Sequence, residues 1–146
     1  MNRLAFPMAF AAAVFVGGSA QAQFKTPEDG VRALYASYEG KDAKGFDSGS
    51  AKTLRRFFTP DLVKLWRRAK QVDADFFIQG QDFEIADLKV GNAAITGDKA
   101  TLDAAFTNFK TPMKLTYSLA KSADGWRISD AKSGKDTLRA MLRQSR

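Results

Sequence analysis

The sequence predicts an α+β protein: N-terminal helices packed on a curved antiparallel sheet of four to five strands, closed by a C-terminal helix. Three observations predict it. Up to about residue 70, apolar residues recur at the i, i+3, i+4 spacing of a helical face. From residue 75 the period changes to two, the spacing of half-buried strands. A last helical stripe follows near the C-terminus. Helices and strands segregated in this way cover one face of an antiparallel sheet rather than alternating with parallel strands.

The chain opens on an export signal. Met1-Asn2-Arg3 is a short basic start, and an apolar run extends from Leu4 to about Gly17. Ser19-Ala20-Gln21-Ala22 places small residues where a signal peptidase reads them, so cleavage after Ala22 is expected. A membrane span needs ~20 predominantly apolar residues, and this run is shorter and broken by Pro7, Gly17 and Gly18. The chain has no Cys to carry a lipid after the cleavage site. The expected mature protein is therefore one domain, residues 23–146, free in the periplasm or secreted, with no transmembrane span.

Thr26-Pro27-Glu28-Asp29 starts the first helix: Thr caps, Pro fits the first turn, and the acids oppose the helix dipole. Val31, Leu34, Tyr35 and Tyr38 form its apolar face, and Gly40 closes it. Residues 41–50, rich in Gly, Asp, Ser and Lys, read as a loop. A short helix is expected from Ala51 to Phe58. Thr59-Pro60-Asp61 repeats the start signal, and Leu62, Leu65, Trp66 and Ala69 then face inward while Lys64, Arg67, Arg68 and Gln71 face out. In the strand region Ala100, Leu102, Ala104 and Phe106 alternate with polar or small residues. Met113, Leu115, Tyr117 and Leu119 do the same, followed by Trp126 and Ile128. Gly97-Asp98 and Asp124-Gly125 mark turns. Leu88 and Val90 share one phase but Ala93 and Ile95 the other, so a bulge or bend is expected at Gly91-Asn92. Thr111-Pro112 reads as a strand entrance. The closing helix is expected from about Lys135 to Gln144, with Leu138, Met141 and Leu142 inward and Lys135, Arg139, Arg143 and Arg146 on another face.

Composition narrows the chemistry. With no His and no Cys, nucleophilic triads and dyads built on those residues are excluded, as are the usual zinc and copper ligands. Acid–base work would fall to Asp, Glu, Lys or Tyr. No cofactor is implied. The net charge of +7 suits an anionic envelope component or an acidic protein as partner. The expected compartment argues against nucleic acid, although the charge alone would attract it.

Several pieces, in order, carry a family resemblance: Phe57-Phe58-Thr59-Pro60-Asp61-Leu62, Gly80-Gln81-Asp82-Phe83, Phe106-Thr107-Asn108-Phe109, Gly125-Trp126-Arg127-Ile128 with Asp130, and Leu138-Arg139 with Leu142. Together they resemble a bacterial family of small secreted proteins, the domain-of-unknown-function 3828 family, over nearly all of the mature chain. The resemblance implies the cone fold of nuclear transport factor two and its relatives, in which a bent sheet wraps the helices around a pocket, and it implies no reaction or cofactor. Members of that family often carry Cys near Gln81-Asp82; this chain has none, so a thiol role does not transfer.

Three constellations are candidates for function. Asp73, Asp75 and Glu84 fall on positions one, three and twelve of a calcium loop, but Phe77 and Ile78 stand where an oxygen ligand and Gly are required, so no metal site is expected. Asp82 reads as a turn residue bonding nearby backbone donors. The second is the cone interior, where Tyr35, Tyr38, Trp66 and Tyr117 would meet, with Asp82 or Asp103 as a carboxylate beside a tyrosine. The competing reading of those aromatics is plain core. The third is a basic surface of Lys64, Arg67, Arg68, Arg139 and Arg143, to which Arg55, Arg56 and Lys70 add. Two functions stay open: a ligand- or protein-binding accessory module of the cell envelope, or, as the resemblance to the cone fold implies, a His-free enzyme of isomerase or dehydratase type using Asp and Tyr.

Overall fold

The computed structural model describes residues 24–70, 72 and 74–145. The segment expected to be an export signal, Asp73 of the calcium-loop register, and Gln71 and Arg146 of the two helical stripes lie outside them.

Three N-terminal helices are present, the first and third starting where their Thr-Pro signals place them. In α1 (Pro27–Ala36) the Thr26 hydroxyl accepts from the Asp29 amide. In α2 (Ala51–Phe57) the Ser50 hydroxyl accepts from the Thr53 amide. In α3 (Pro60–Arg68) Pro60 fills the first turn, but Thr59 caps without a side-chain bond and its amide instead donates to Ile128 O, 3.0 Å away. Helix α1 stops four residues before Gly40, with Tyr38 in the turn just beyond it.

Six antiparallel strands follow: β1 (Ile85–Val90), β2 (Ala94–Thr96), β3 (Lys99–Asn108), β4 (Thr111–Ser122), β5 (Gly125–Ser133) and β6 (Asp136–Thr137). They run in the order β1-β3-β4-β5-β6, with β2 beside the other end of β3. The expected α+β architecture is thus present, and two of the six strands are no longer than three residues. The alternating residues of β3 and β4 face the helices: Leu102, Ala104, Phe106, Leu115, Tyr117 and Leu119 are all buried. Helices α1, α2 and α4 (Leu138–Gln144) pack on that face.

Register slips curve the sheet. Ala86 pairs with Thr107 but Lys89 with Ala105, so β1 carries an extra residue near Asp87, which takes φ 56°. A second slip separates Val90↔Ala104 from Ala94↔Thr101, across Gly91–Ala93. This is the phase change expected at Gly91-Asn92, and the slip at Asp87 adds to it. A third lies between Ser118 and Leu119 on β4, opposite Ile128–Asp130. Each bulge sharpens local twist and bends the strand pair.

Two expected spans differ. Residues 75–84 hold no strand: Asp75 and Gly80 bond to each other across a turn, and Gln79 sits at φ 56°. Three consecutive buried residues there, Phe76, Phe77 and Ile78, break a period of two because the segment is a buried loop. The last helix starts at Leu138 rather than Lys135. Gly134-Lys135 makes a two-residue turn, with Gly134 at φ 59°, and Asp136-Thr137 pairs back onto β5. The helix then begins at its own cap, where Thr137 accepts from the Ala140 amide.

Candidate functional site

The cone interior is filled by the chain itself. Loop 75–80 inserts Phe77 and Ile78 between the helices and the sheet, where both are buried. Phe77 stacks on Phe58, Trp66 and Tyr117 with ring centroids 5.8–6.4 Å apart. Phe46, from the loop after α1, meets Phe57, Phe58 and Phe77 edge-on. Such stacked and T-shaped pairs are the preferred aromatic geometries. Trp66 is part of this plug.

Tyr35, Tyr38 and Tyr117 do converge. The Tyr35 and Tyr117 hydroxyls lie 2.7 Å apart, and Tyr35 also donates to Phe77 O at 2.9 Å. Since Tyr35 has one proton and gives it to Phe77 O, Tyr117 donates to Tyr35. Both side chains are wholly buried, and burial pushes both phenols up in pKa, so they are neutral hydrogen-bond groups. Tyr38 donates to Asp75 Oδ2. Asp75 Oδ1 accepts from the Phe77 amide at 2.9 Å. Burial raises the Asp75 carboxyl, and its bonds to Tyr38 and to the amides of Phe77 and Ile78 pull it back in part. Burial, then the Asp75 charge, pushes the Tyr38 phenol up. The pair pins the plug loop to the end of α1. Close packing supports it: Gly45 sits at φ 79°, and a β-carbon there would come within 3.3 Å of the Tyr38 and Phe83 rings.

The carboxylates expected in the interior are elsewhere. Asp82 is exposed, and its Oδ1 caps the Phe83 amide while its carbonyl accepts from Asn108 Nδ2. This is the turn role; it makes no bond to a tyrosine. Asp103 is exposed on the outer sheet face, bonded to Thr116 and 3.4 Å from Lys114 Nζ. Its place beside the tyrosines is taken by Asp75, which sequence reasoning weighed only as a calcium ligand. What the sequence offers there is the apolar run Phe76-Phe77-Ile78 between Asp75 and Gly80, which fits neither the helical nor the strand period. Among the described residues no cluster of three or more acidic side chains could hold a metal. Asp75 opens onto a small cavity of about 250 Å³ with Phe46, Trp66 and Met141 in its wall.

The basic residues divide. Lys64, Arg67 and Arg68 are exposed on α3, and Arg143 on α4, which packs against α3. Arg139 is spent internally: Nε donates to Ser129 O and a terminal nitrogen to Asp61, both at 2.7 Å. It ties α4 to β5 and α3. Arg56 lies over the Phe24 and Phe57 rings, 5.1 Å from each centroid. Arg67 instead faces a groove of about 570 Å³ between α2–α3 and the β4–β5 hairpin, shared with Arg55, Lys121 and Arg127. Lys121 and Arg127 went unseen as site residues in the sequence, because nothing local places that hairpin beside α3. Among the described residues no helix is long and apolar enough to cross a membrane.

No protein-family model matches the chain, and no curated protein matches it. Two solved structures are similar. One is a chain of the type VI native effector-immunity complex Tae3-Tai3 from Ralstonia pickettii. It has 18% identity and a TM-score of 0.56, over 77% of this chain and 98% of that one. The other is a phospholipid-binding protein from Ralstonia solanacearum solved with a phospholipid. It has 16% identity and a TM-score of 0.47, over 80% of this chain and 81% of that one. The first likeness bears on the fold: the curved sheet wrapped around N-terminal helices is an architecture already seen in a solved protein.

Proposed function

We propose that the protein is an exported accessory module of the cell envelope, periplasmic or secreted, that binds an anionic envelope component or an acidic protein through the basic face of its helical layer. One contrast carries this reading. Inside the cone every tyrosine hydroxyl and both Asp75 oxygens are engaged with one another or with backbone. Outside, Lys64, Arg67 and Arg68 stand exposed and make no ion pair among the described residues. A filled interior with satisfied polar groups serves stability, whereas unspent cations on one helix attract anions. The same contrast weighs against the His-free isomerase or dehydratase reading: Asp82 and Asp103 bond no tyrosine, Asp75, which bonds Tyr38, has both oxygens engaged, and the Tyr35 and Tyr117 side chains are wholly buried. The fold is compatible with a protein partner, as the Ralstonia pickettii chain belongs to a two-protein complex.

The test is retention on immobilised polyglutamate. Retention is expected near about 50 mM salt and should fall away by about 300 mM, because the screening length of exposed charges shortens from ~14 Å to ~6 Å over that range. No retention at low salt, or retention indifferent to salt, overturns the reading. Mass spectrometry of the protein recovered outside the cytoplasm tests export: a chain beginning at Gln23 is expected, and an intact Met1 contradicts it.

A further inference from the structure

The groove between α2–α3 and the β4–β5 hairpin differs from the rest of the basic face in its floor. Phe58 and Val63 lie at the bottom, buried to within a few per cent, with Pro60 and Ala120 higher on the walls. Spacing on α3 explains the wall: Pro60, Val63 and Arg67 fall on one stripe of the helix. The opposite wall is held in place by backbone, since Thr59 N donates to Ile128 O and Phe58 bridges Ile128 in parallel register.

The charges at the rim are unequal. Arg127 is already used, donating to Arg55 O at 3.0 Å, to Ser122 at 3.2 Å and to Asp124 at 3.1 Å. Its guanidinium holds the Asp124 carboxyl low, so the two cancel. Arg55, Arg67 and Lys121 are exposed and, among the described residues, make no ion pair. Three unspent cations therefore surround a recessed apolar floor.

We propose that this groove docks an acidic segment of a partner protein, seating one apolar side chain of that segment on Phe58 and Val63 while its flanking carboxylates meet Arg55, Arg67 and Lys121. The inference rests on the basic-face reading above and narrows it to one site and one partner class. An apolar centre with a charged rim that includes Arg is the anatomy of a protein docking site. A bilayer surface is the poorer match. Peripheral membrane binding uses apolar side chains that project into the lipid, whereas here they are recessed. The large exposed apolar residues Val72, Ile95 and Phe109 are not part of the groove. A small free anion is also poorer, because Arg55, Arg67 and Lys121 come from three different elements around the mouth rather than converging on a buried donor.

The test uses the purified protein with methyl labels, titrated at low salt with two synthetic peptides of equal charge. One is Glu-Asp-Leu-Glu-Asp and the other carries Ser in place of Leu. Vesicles of phosphatidylglycerol form a third arm. The Leu peptide is expected to bind about five-fold more tightly than the Ser peptide, through partial burial of one aliphatic side chain, with the methyl signals of Val63 and Ala120 moving. The double variant Arg55→Glu, Arg67→Glu should weaken the Leu peptide by about ten-fold or more, while Lys64→Glu with Arg68→Glu should weaken it by no more than about three-fold. Unchanged amide spectra establish that both variants fold. Equal binding of the two peptides, unmoved Val63 and Ala120 signals, or preference for the vesicles overturns the proposal. Polyglutamate retention that survives the Arg55/Arg67 change but is lost with Lys64/Arg68 sinks the groove and leaves the basic-face reading standing. Absence of retention by the unmodified protein sinks both.

Discussion

At the scale of single residues, direction of donation decides what each buried hydroxyl is worth. Tyr117 donates to Tyr35, and Tyr35 donates to Phe77 O. Tyr117→Phe removes one donor and leaves Tyr35 bonded, so the expected loss is about 1 kcal/mol, the net value of a hydrogen bond. Tyr35→Phe strands both the Tyr117 hydroxyl and the Phe77 carbonyl in the core, and buried orphans cost about 1–3 kcal/mol each. Urea denaturation should rank Tyr35→Phe as the more damaging; the reverse order contradicts the donation chain. Asp75 adds a pH signature. Its carboxyl is raised above the ordinary value of 3.8, chiefly by burial. A group whose folded pKa is raised contributes stability below its unfolded pKa and loses it as pH rises through the folded one. Asp75→Asn removes that titration. The variant's stability relative to the unmodified protein should therefore improve as pH is raised above the ordinary carboxylate value, and level off once Asp75 is ionised in the folded state. Any fixed offset from the altered bond to Tyr38 does not affect the slope. A flat or falling difference means that the bonds to Tyr38 and the amides outweigh burial.

At the scale of elements, the β3–β4 hairpin turns on two residues that chemistry would not choose. Phe109 and Lys110 take φ 48° and 66°, left-handed values that cost a residue with a side chain about 1–2 kcal/mol. Lys110→Gly should raise the denaturation midpoint, by roughly 1 kcal/mol of stability, because glycine adopts that conformation freely. Loss of stability instead means that the Lys110 side chain makes contacts worth more than the strain. Sheet edges are managed by position. The outer edge of β5 is covered by Phe24 at Trp126, by Phe58 at Ile128, then by β6. The β1 edge instead carries a bulge at Asp87 and an exposed Lys89, features that discourage a further strand. How much of this was legible in the sequence depended on range. The period-two runs of β3 and β4 were, because each residue's side is set by its neighbours two away, and the slip at Gly91 was, because it reverses that phase. The plug loop was not. Three adjacent apolar residues satisfy neither period, and the burial of Asp75 depends on Tyr38, thirty-seven residues earlier in the chain. The basic α3 stripe was legible as a face. The groove was not, because Arg127 reaches Arg55 across seventy-two residues, through a bridge that no local pattern announces.

At the scale of the molecule, the net charge of +7 meets few compensating contacts. The described residues hold four ion pairs, and each has a carboxylate partner about half exposed or more. Pairs of that kind contribute little, while Lys64, Arg67 and Arg68 crowd one helix at spacings where like charges repel. Self-repulsion should therefore outweigh ion pairing in the electrostatic part of stability. Raising sodium chloride from about 0.01 M to about 0.15 M shortens the screening length from ~30 Å to ~8 Å, and the urea midpoint at neutral pH is expected to rise over that range. Fluoride at equal ionic strength should give the same rise, which separates screening from binding of one anion. Lys64→Glu with Arg68→Glu should raise the midpoint at low salt and flatten its salt dependence. A midpoint that falls as salt is added would mean that the surface pairs, weak as each is, dominate. The basic face would then be electrostatically settled within the molecule, and the docking role assigned to it would lose its physical basis.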